Sequence, residues 1–121
     1  MREPRPHEKL DVWKRAIDLC VGIYQATGEL PPDEKYGLSS QMRRAVVSVG
    51  SNIAEGAAGG TIPLYIRSLR IARASLAELD TQLEICRRLT FINDSDCEQL
   101  GEQTEIIGKM LTNLIKALKK K

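Results

Sequence analysis

From Leu69 to Cys86, apolar residues stand at Leu69, Ala72, Leu76, Leu79, Leu83 and Cys86, at steps of three and four throughout. A strand shows alternate side chains to one face, whereas a helix returns to the same face about every 3.6 residues. The run therefore predicts a helix, capped by Thr61 with Pro63 tolerated in its first turn. Continued to about Leu89, it is roughly 40 Å long at about 1.5 Å per residue. One apolar face of that length needs other elements to cover it.

Three further segments carry the same period. Leu100, Thr104, Ile107, Leu111, Leu114 and Leu118 alternate steps of four and three, a coiled-coil-like seam. Ser95, with Glu98 three residues on, is the expected cap of that helix, after a turn at Asn93–Asp94. A first helix is predicted from about Asp11 to Thr27, ended by Gly28 and barred from continuing by Pro31 and Pro32. Trp13, Ala16, Ile17, Cys20, Tyr24 and Thr27 share one helical face, with Val12, Leu19 and Ile23 as a second, adjacent stripe. A second helix, clear from Ser39 or Ser40 to about Gly56, presents Leu38, Met42, Ala45, Val46, Val49 and Ile53. An extra turn at Asp33–Tyr36 precedes it, and Ala57–Gly60 is the turn after it.

Four helices with short connections predict an all-α fold, an antiparallel up-down-up-down four-helix bundle. The chain of 121 residues leaves room for one such domain, expected over residues 10–121, with residues 1–9 as a flexible lead-in. No apolar run approaches the roughly 18 residues of a membrane span, so no membrane partner is expected. The charged N-terminus has no apolar signal core. Cys20, Cys86 and Cys97 are odd in number and form no Cys-x-x-Cys pair, which suits small hydrophobes in a reducing cytoplasm.

The same inventory argues against an enzyme. There is no Walker A loop, no Gly-x-Ser-x-Gly and no His-Glu-x-x-His, and the only histidine, His7, lies in the lead-in. Asp94, Asp96, Glu98, Glu102 and Glu105 read as acids favoured at a helix N-terminus, with lysines at its other end. No catalytic residue, metal ligand or cofactor is predicted.

Binding surfaces are more legible. The net charge is only +2, from 18 basic and 16 acidic residues, so any polyanion contact must come from local clustering. Five aromatic residues, Trp13, Tyr24, Tyr36, Tyr65 and Phe91, argue against a stacking platform for single strands. Residues 56–77 contain no acid but hold Arg67, Arg70 and Arg73, stepping along the third helix. Arg43, Arg44, Arg87, Arg88 and the terminal Lys119, Lys120 and Lys121 complete the candidate phosphate contacts. Ordinary surface arginines bridging acids are the alternative reading.

The second helix also carries Val47, Gly50, Ala54 and Ala58, small or apolar, on a second stripe. That stripe, with Ser51 and Glu55, is either a subunit interface or close packing inside the bundle. Arg44, Ser48, Ser51 and Glu55 share a polar face that reads as a clamp at the turn between helices two and three, or as a ligand site.

Several segments together resemble a known family. They are Leu10 to Ala16 around Trp13; Tyr36 to Leu38 with Gln41, Arg43, Arg44 and Ala45; Ser48 with the run Ser51 to Gly56; Leu69 to Leu79; and Lys109 to Leu111 with Leu114 and Ile115. Over residues 8–118 the chain resembles the small bacterial four-helix proteins named for intervening sequences of 23S rRNA. The resemblance implies assembly into a ring, with a pentamer expected. A related branch, the accessory variability proteins of diversity-generating retroelements, implies contact with structured RNA and a reverse transcriptase. The alternative is an oligomeric protein-interaction scaffold without nucleic acid. After Gly56 the family often has Gly-Arg, where this chain has Ala57, Ala58, Gly59 and Gly60, so a basic residue expected at that turn is missing.

Overall fold

Breakers and caps divide the chain close to where its sequence places them. A computed structural model describes residues 2–121 and contains, among those residues, four α-helices and two 3-10 helices. The α-helices are α1 (Asp11–Thr27), α2 (Leu38–Ala57), α3 (Ile62–Arg88) and α4 (Asp94–Lys119). Between α2 and α3, Gly59 and Gly60 have φ of 146° and 108°, a region open to glycine and closed to most residues, which fixes that turn. Thr61 caps α3 as expected, its side chain accepting from the Leu64 N–H at 3.3 Å. The cap of α4 is Asn93 instead of Ser95: its Oδ1 accepts from the Asp96 N–H at 2.8 Å, so the helix begins before the serine.

One core runs through all four helices. Leu19 and Ile23 of α1, Met42, Val46, Val49 and Ile53 of α2, Leu69 and Leu79 of α3, and Ile107 and Leu111 of α4 are fully buried. Each such side chain contributes about 1.5–3 kcal/mol of burial free energy. On α1 the buried face takes all of the second stripe and Ala16 and Thr27 of the first. Val12, Ala16, Leu19, Ile23 and Ala26 face the core, whereas Ile17 and Tyr24 are exposed and Trp13 and Cys20 only partly covered. Both stripes are apolar, and the side that α2 and α4 cover decides between them.

Contacts between helices are specific. Arg43 of α2 reaches Thr27 of α1, and further along α2 the Gly50 backbone lies against Ile17. Cys86 of α3 lies against Met42 at 3.6 Å, and the Ser75 hydroxyl meets that of Ser48 at 2.9 Å. Leu83 and Arg73 of α3 contact Cys97 and Thr112 of α4.

Within the span read as a lead-in, Pro6–Lys9 form a 3-10 helix that packs on α1 and α2. Pro6 begins it, where its missing N–H costs nothing. The His7 ring meets Trp13 edge-on at 4.9 Å, and Arg2 pairs with Glu8 at 2.7 Å.

Candidate interaction surfaces

The predicted cations separate into committed and open groups. Arg43 is used inside the chain. Its Nε donates to Thr27 Oγ1 at 2.9 Å, its Nη2 donates to the Tyr24 carbonyl at 3.3 Å, and its guanidinium lies 4.6 Å from the Tyr24 ring centroid. Arg87 and Arg88 both clasp Glu84, at 2.6 and 2.7 Å, and Arg87 also approaches Asp94 at 4.0 Å. The two guanidinium groups hold the Glu84 carboxyl at about 2, well below the usual carboxylate range. These arginines are thus partly neutralised by their own helix. They also stand about 30 Å along α3 from Arg67, at about 1.5 Å per residue.

Arg44, Arg67 and Arg70 are exposed, and none of them pairs with a carboxylate among the described residues. Arg73 is also exposed; its Nη1 donates to Thr112 Oγ1 at 3.2 Å on α4, which ties the arginine row to the α3–α4 seam. From that point α4 continues to Lys116 and Lys119, and the exposed Lys120 and Lys121 follow it. Lys109 is an exception on this helix, bridging to Glu105 at 3.2 Å.

The small-residue stripe of α2 is divided as well. Gly50 is buried: a Cβ there would lie 3.3 Å from Ile17 Cδ1 and 3.9 Å from Ala16 Cβ of the same chain. It serves close packing of α1 on α2, which corrects its assignment to a subunit interface. Ala54, Glu55 and Ala58 border a groove whose other wall is Pro4, Arg5, Pro6 and His7. Only Val47 and Ser51 of the predicted interface are exposed without lying beside that N-terminal wall. Ile17, Val21 and Tyr24 of α1 are exposed apolar residues as well, and Tyr24 lines one groove with Val47.

The polar clamp near the α2–α3 turn keeps Ser48 of that face, with Asn52 beside it and a partner on α3. Asn52 Nδ2 donates to the Ser48 carbonyl and hydroxyl at 2.8 and 3.1 Å, and Ser75 of α3 completes the network. Arg44, Ser51 and Glu55 stay exposed and take no part in that network.

No group of three or more His, Cys, Asp or Glu side chains is placed to hold a metal ion among the described residues. Burial pushes the Cys86 thiol up to about 11, and it raises Cys20 and Cys97 too, so the thiols resist ionisation. No helix among the described residues is long and apolar enough to cross a membrane.

One surface escaped the sequence reading. Tyr24, Lys35, Tyr36, Arg43 and Arg44 line a single groove of about 650 Å³ where α1 ends and α2 begins. The signal available was the Pro31–Pro32 reversal, which folds the end of α1 back beside the start of α2.

Comparison with known proteins agrees with the resemblance. Residues 8–113 match the family described as 23S rRNA-intervening sequence protein. A solved structure from Bacteroides thetaiotaomicron VPI-5482, described as a protein of unknown function from the S23 ribosomal protein family, aligns with a TM-score of 0.81. It is 25% identical, over 87% of this chain and 98% of its own. No curated protein matches the chain.

Proposed function

We propose, from the premise that this chain belongs to the 23S rRNA-intervening sequence protein family, that it is a non-enzymatic, self-assembling protein that binds structured RNA in the cytoplasm. The observation that carries the RNA reading is the open arginine row: Arg67 and Arg70 are exposed and unpaired, within a stretch lacking any acid from residue 56 to 77. Such groups hold phosphates without reading bases. The helix contacts support an antiparallel up-down-up-down bundle, because residue numbers rise on one partner as they fall on the next. In that arrangement the start of α3 and the end of α4 share one end of the molecule. Arg67, Arg70 and the Lys119–Lys121 tail then form one basic end.

Self-assembly uses the exposed part of α2 from Val47 on toward Ser51, beyond the groove at the start of that helix, with a pentameric ring as the expected form. A ring repeats the basic end once per subunit, so a chain of charge +2 presents a band of phosphate contacts. A reverse transcriptase is the protein partner carried over from the accessory variability proteins, and co-purification tests that part.

Binding of a folded RNA is measured across a salt series with the wild type and with Arg67→Ala/Arg70→Ala. The expected result is a loss of about one unit of log–log salt slope per arginine. An unchanged slope and affinity refutes the arginine assignment. Light scattering of Val47→Glu, expected to lower the assembled mass, tests the face. The observation that favours a protein scaffold instead is the exposed apolar set Ile17, Val21 and Val47, and retained assembly with no RNA binding at low salt would select it.

A further inference from the structure

We propose that the groove between the end of α1 and the start of α2 binds a nucleoside monophosphate unit, either free or as an unpaired nucleotide within a chain. The chain-borne form rests on the RNA reading above.

The groove combines two kinds of group that such a unit requires. The first is planar surface. Arg43 lies over the Tyr24 ring at 4.6 Å from its centroid, fixed by Thr27 Oγ1 and the Tyr24 carbonyl. That guanidinium is both a stacking plane and a charge, and its Nη1 makes no hydrogen bond among the described residues. Unpaired bases stack on guanidinium planes and aromatic faces. Tyr36 at the mouth is 85% exposed, its only noted aromatic contact being the Lys35 ammonium 5.4 Å from the ring centroid. A tyrosine this exposed, lining the same groove as that guanidinium, offers a face for a base.

The second kind is unopposed positive charge. Lys35, Arg43 and Arg44 line the groove together with the hydroxyl residues Ser39 and Ser40, and no carboxylate lines it. Its volume of about 650 Å³ lies within the range of small-molecule sites. An acidic peptide satisfies the cations but leaves the exposed Tyr36 ring without a planar partner, so that ring favours a base.

The test uses the full chain and three probes: dye-labelled hexauridylate, a labelled short RNA duplex, and AMP or inorganic phosphate as competitors. Tyr36→Ala removes an exposed ring with little effect on folding, and is expected to weaken hexauridylate binding about tenfold or more. Lys35→Gln is expected to lower the salt slope by about one. Duplex binding is expected to stay unchanged in both variants, and to fall instead in Arg67→Ala/Arg70→Ala, so the two sites fail independently. Displacement of hexauridylate by AMP but not by equal inorganic phosphate identifies a site open to free nucleotides. Tyr36-dependent hexauridylate binding that AMP cannot displace identifies the chain-borne form. Hexauridylate affinity unaffected by Tyr36→Ala overturns the proposal, as does displacement by a glutamate oligopeptide as effective as by AMP.

Discussion

Gly56→Ala is expected to destabilise the protein, although the same change usually stabilises a helix. Gly56 lies in the last turn of α2, where the chain crosses onto α3. A Cβ there would stand 2.8 Å from Tyr65 Cδ1 and 3.0 Å from Ser68 Cβ. Neither atom is the free end of a flexible chain: one belongs to a ring anchored in the core edge, the other to the α3 backbone root. The methyl can be accommodated only by spreading α2 from α3. Overpacking of this kind costs about 1–3 kcal/mol, and the better helix propensity of alanine returns about 1 kcal/mol. The net expectation is a loss of about 1 kcal/mol, or roughly 4 °C in Tm for a chain this long. Gly101→Ala is the matched control, because nothing lies within 4 Å of its Cβ position, and about 1 kcal/mol of stabilisation is expected there. Thermal and urea unfolding of both variants, followed by circular dichroism at one protein concentration, decides the matter; the fixed concentration removes any contribution from self-association. A Gly56→Ala protein as stable as Gly101→Ala would refute the reasoning that the α2–α3 crossing is tight.

Three further expectations follow from the contacts. Ser75→Ala should cost about 1 kcal/mol in urea unfolding, since it removes the part-buried Ser75–Ser48 hydrogen bond while Asn52 still donates to Ser48. Thiol labelling of the native protein should modify the partly exposed Cys20 first and Cys86 last, because burial holds the Cys86 thiol at about 11; mass spectrometry of the labelled peptides reads the order. Glu84, held at about 2 against an ordinary 4.5, contributes stability that is present above pH 4.5 and lost as pH falls toward 2. Glu84→Gln should flatten the stability–pH curve in that window, and, by releasing Arg87 and Arg88, should strengthen RNA binding at low salt.

The fold was readable where a single local rule decides. Gly28 and the Pro31–Pro32 pair end α1 whatever surrounds it, and the Leu69–Cys86 run has only one apolar face to bury. It was unreadable where two local solutions are equally good. Both α1 stripes are apolar, and the burial of Val12, Leu19 and Ile23 in place of Ile17 and Tyr24 belongs to α2 and α4. Asn93 and Ser95 are both competent caps, and the earlier one won by satisfying the Asp96 N–H. The arginines divide in the same way. Glu84 stands three and four residues before Arg87 and Arg88, so their pairing follows from helix spacing alone and was legible. The partner of Arg43 lies sixteen residues away across a turn, at Thr27, and only the packed helices reveal it.

Composition misleads most where placement matters more than number. An aromatic share of 4% argues against stacking when rings are scattered, since a lone ring on a helix is usually part of the core. Here Trp13, Tyr65 and Phe91 do pack against the core, and they account for the structural use of the aromatic residues. Tyr24 and Tyr36 are the remainder, and a two-proline reversal places both in the groove that also collects Lys35, Arg43 and Arg44. A net charge of +2 conceals the cations by the same averaging. The acids that balance the sum are spread over the chain, yet none lines the groove and none falls between residues 56 and 77. Two binding surfaces of one sign can therefore coexist on a chain that is almost neutral, and each is open to test without disturbing the other.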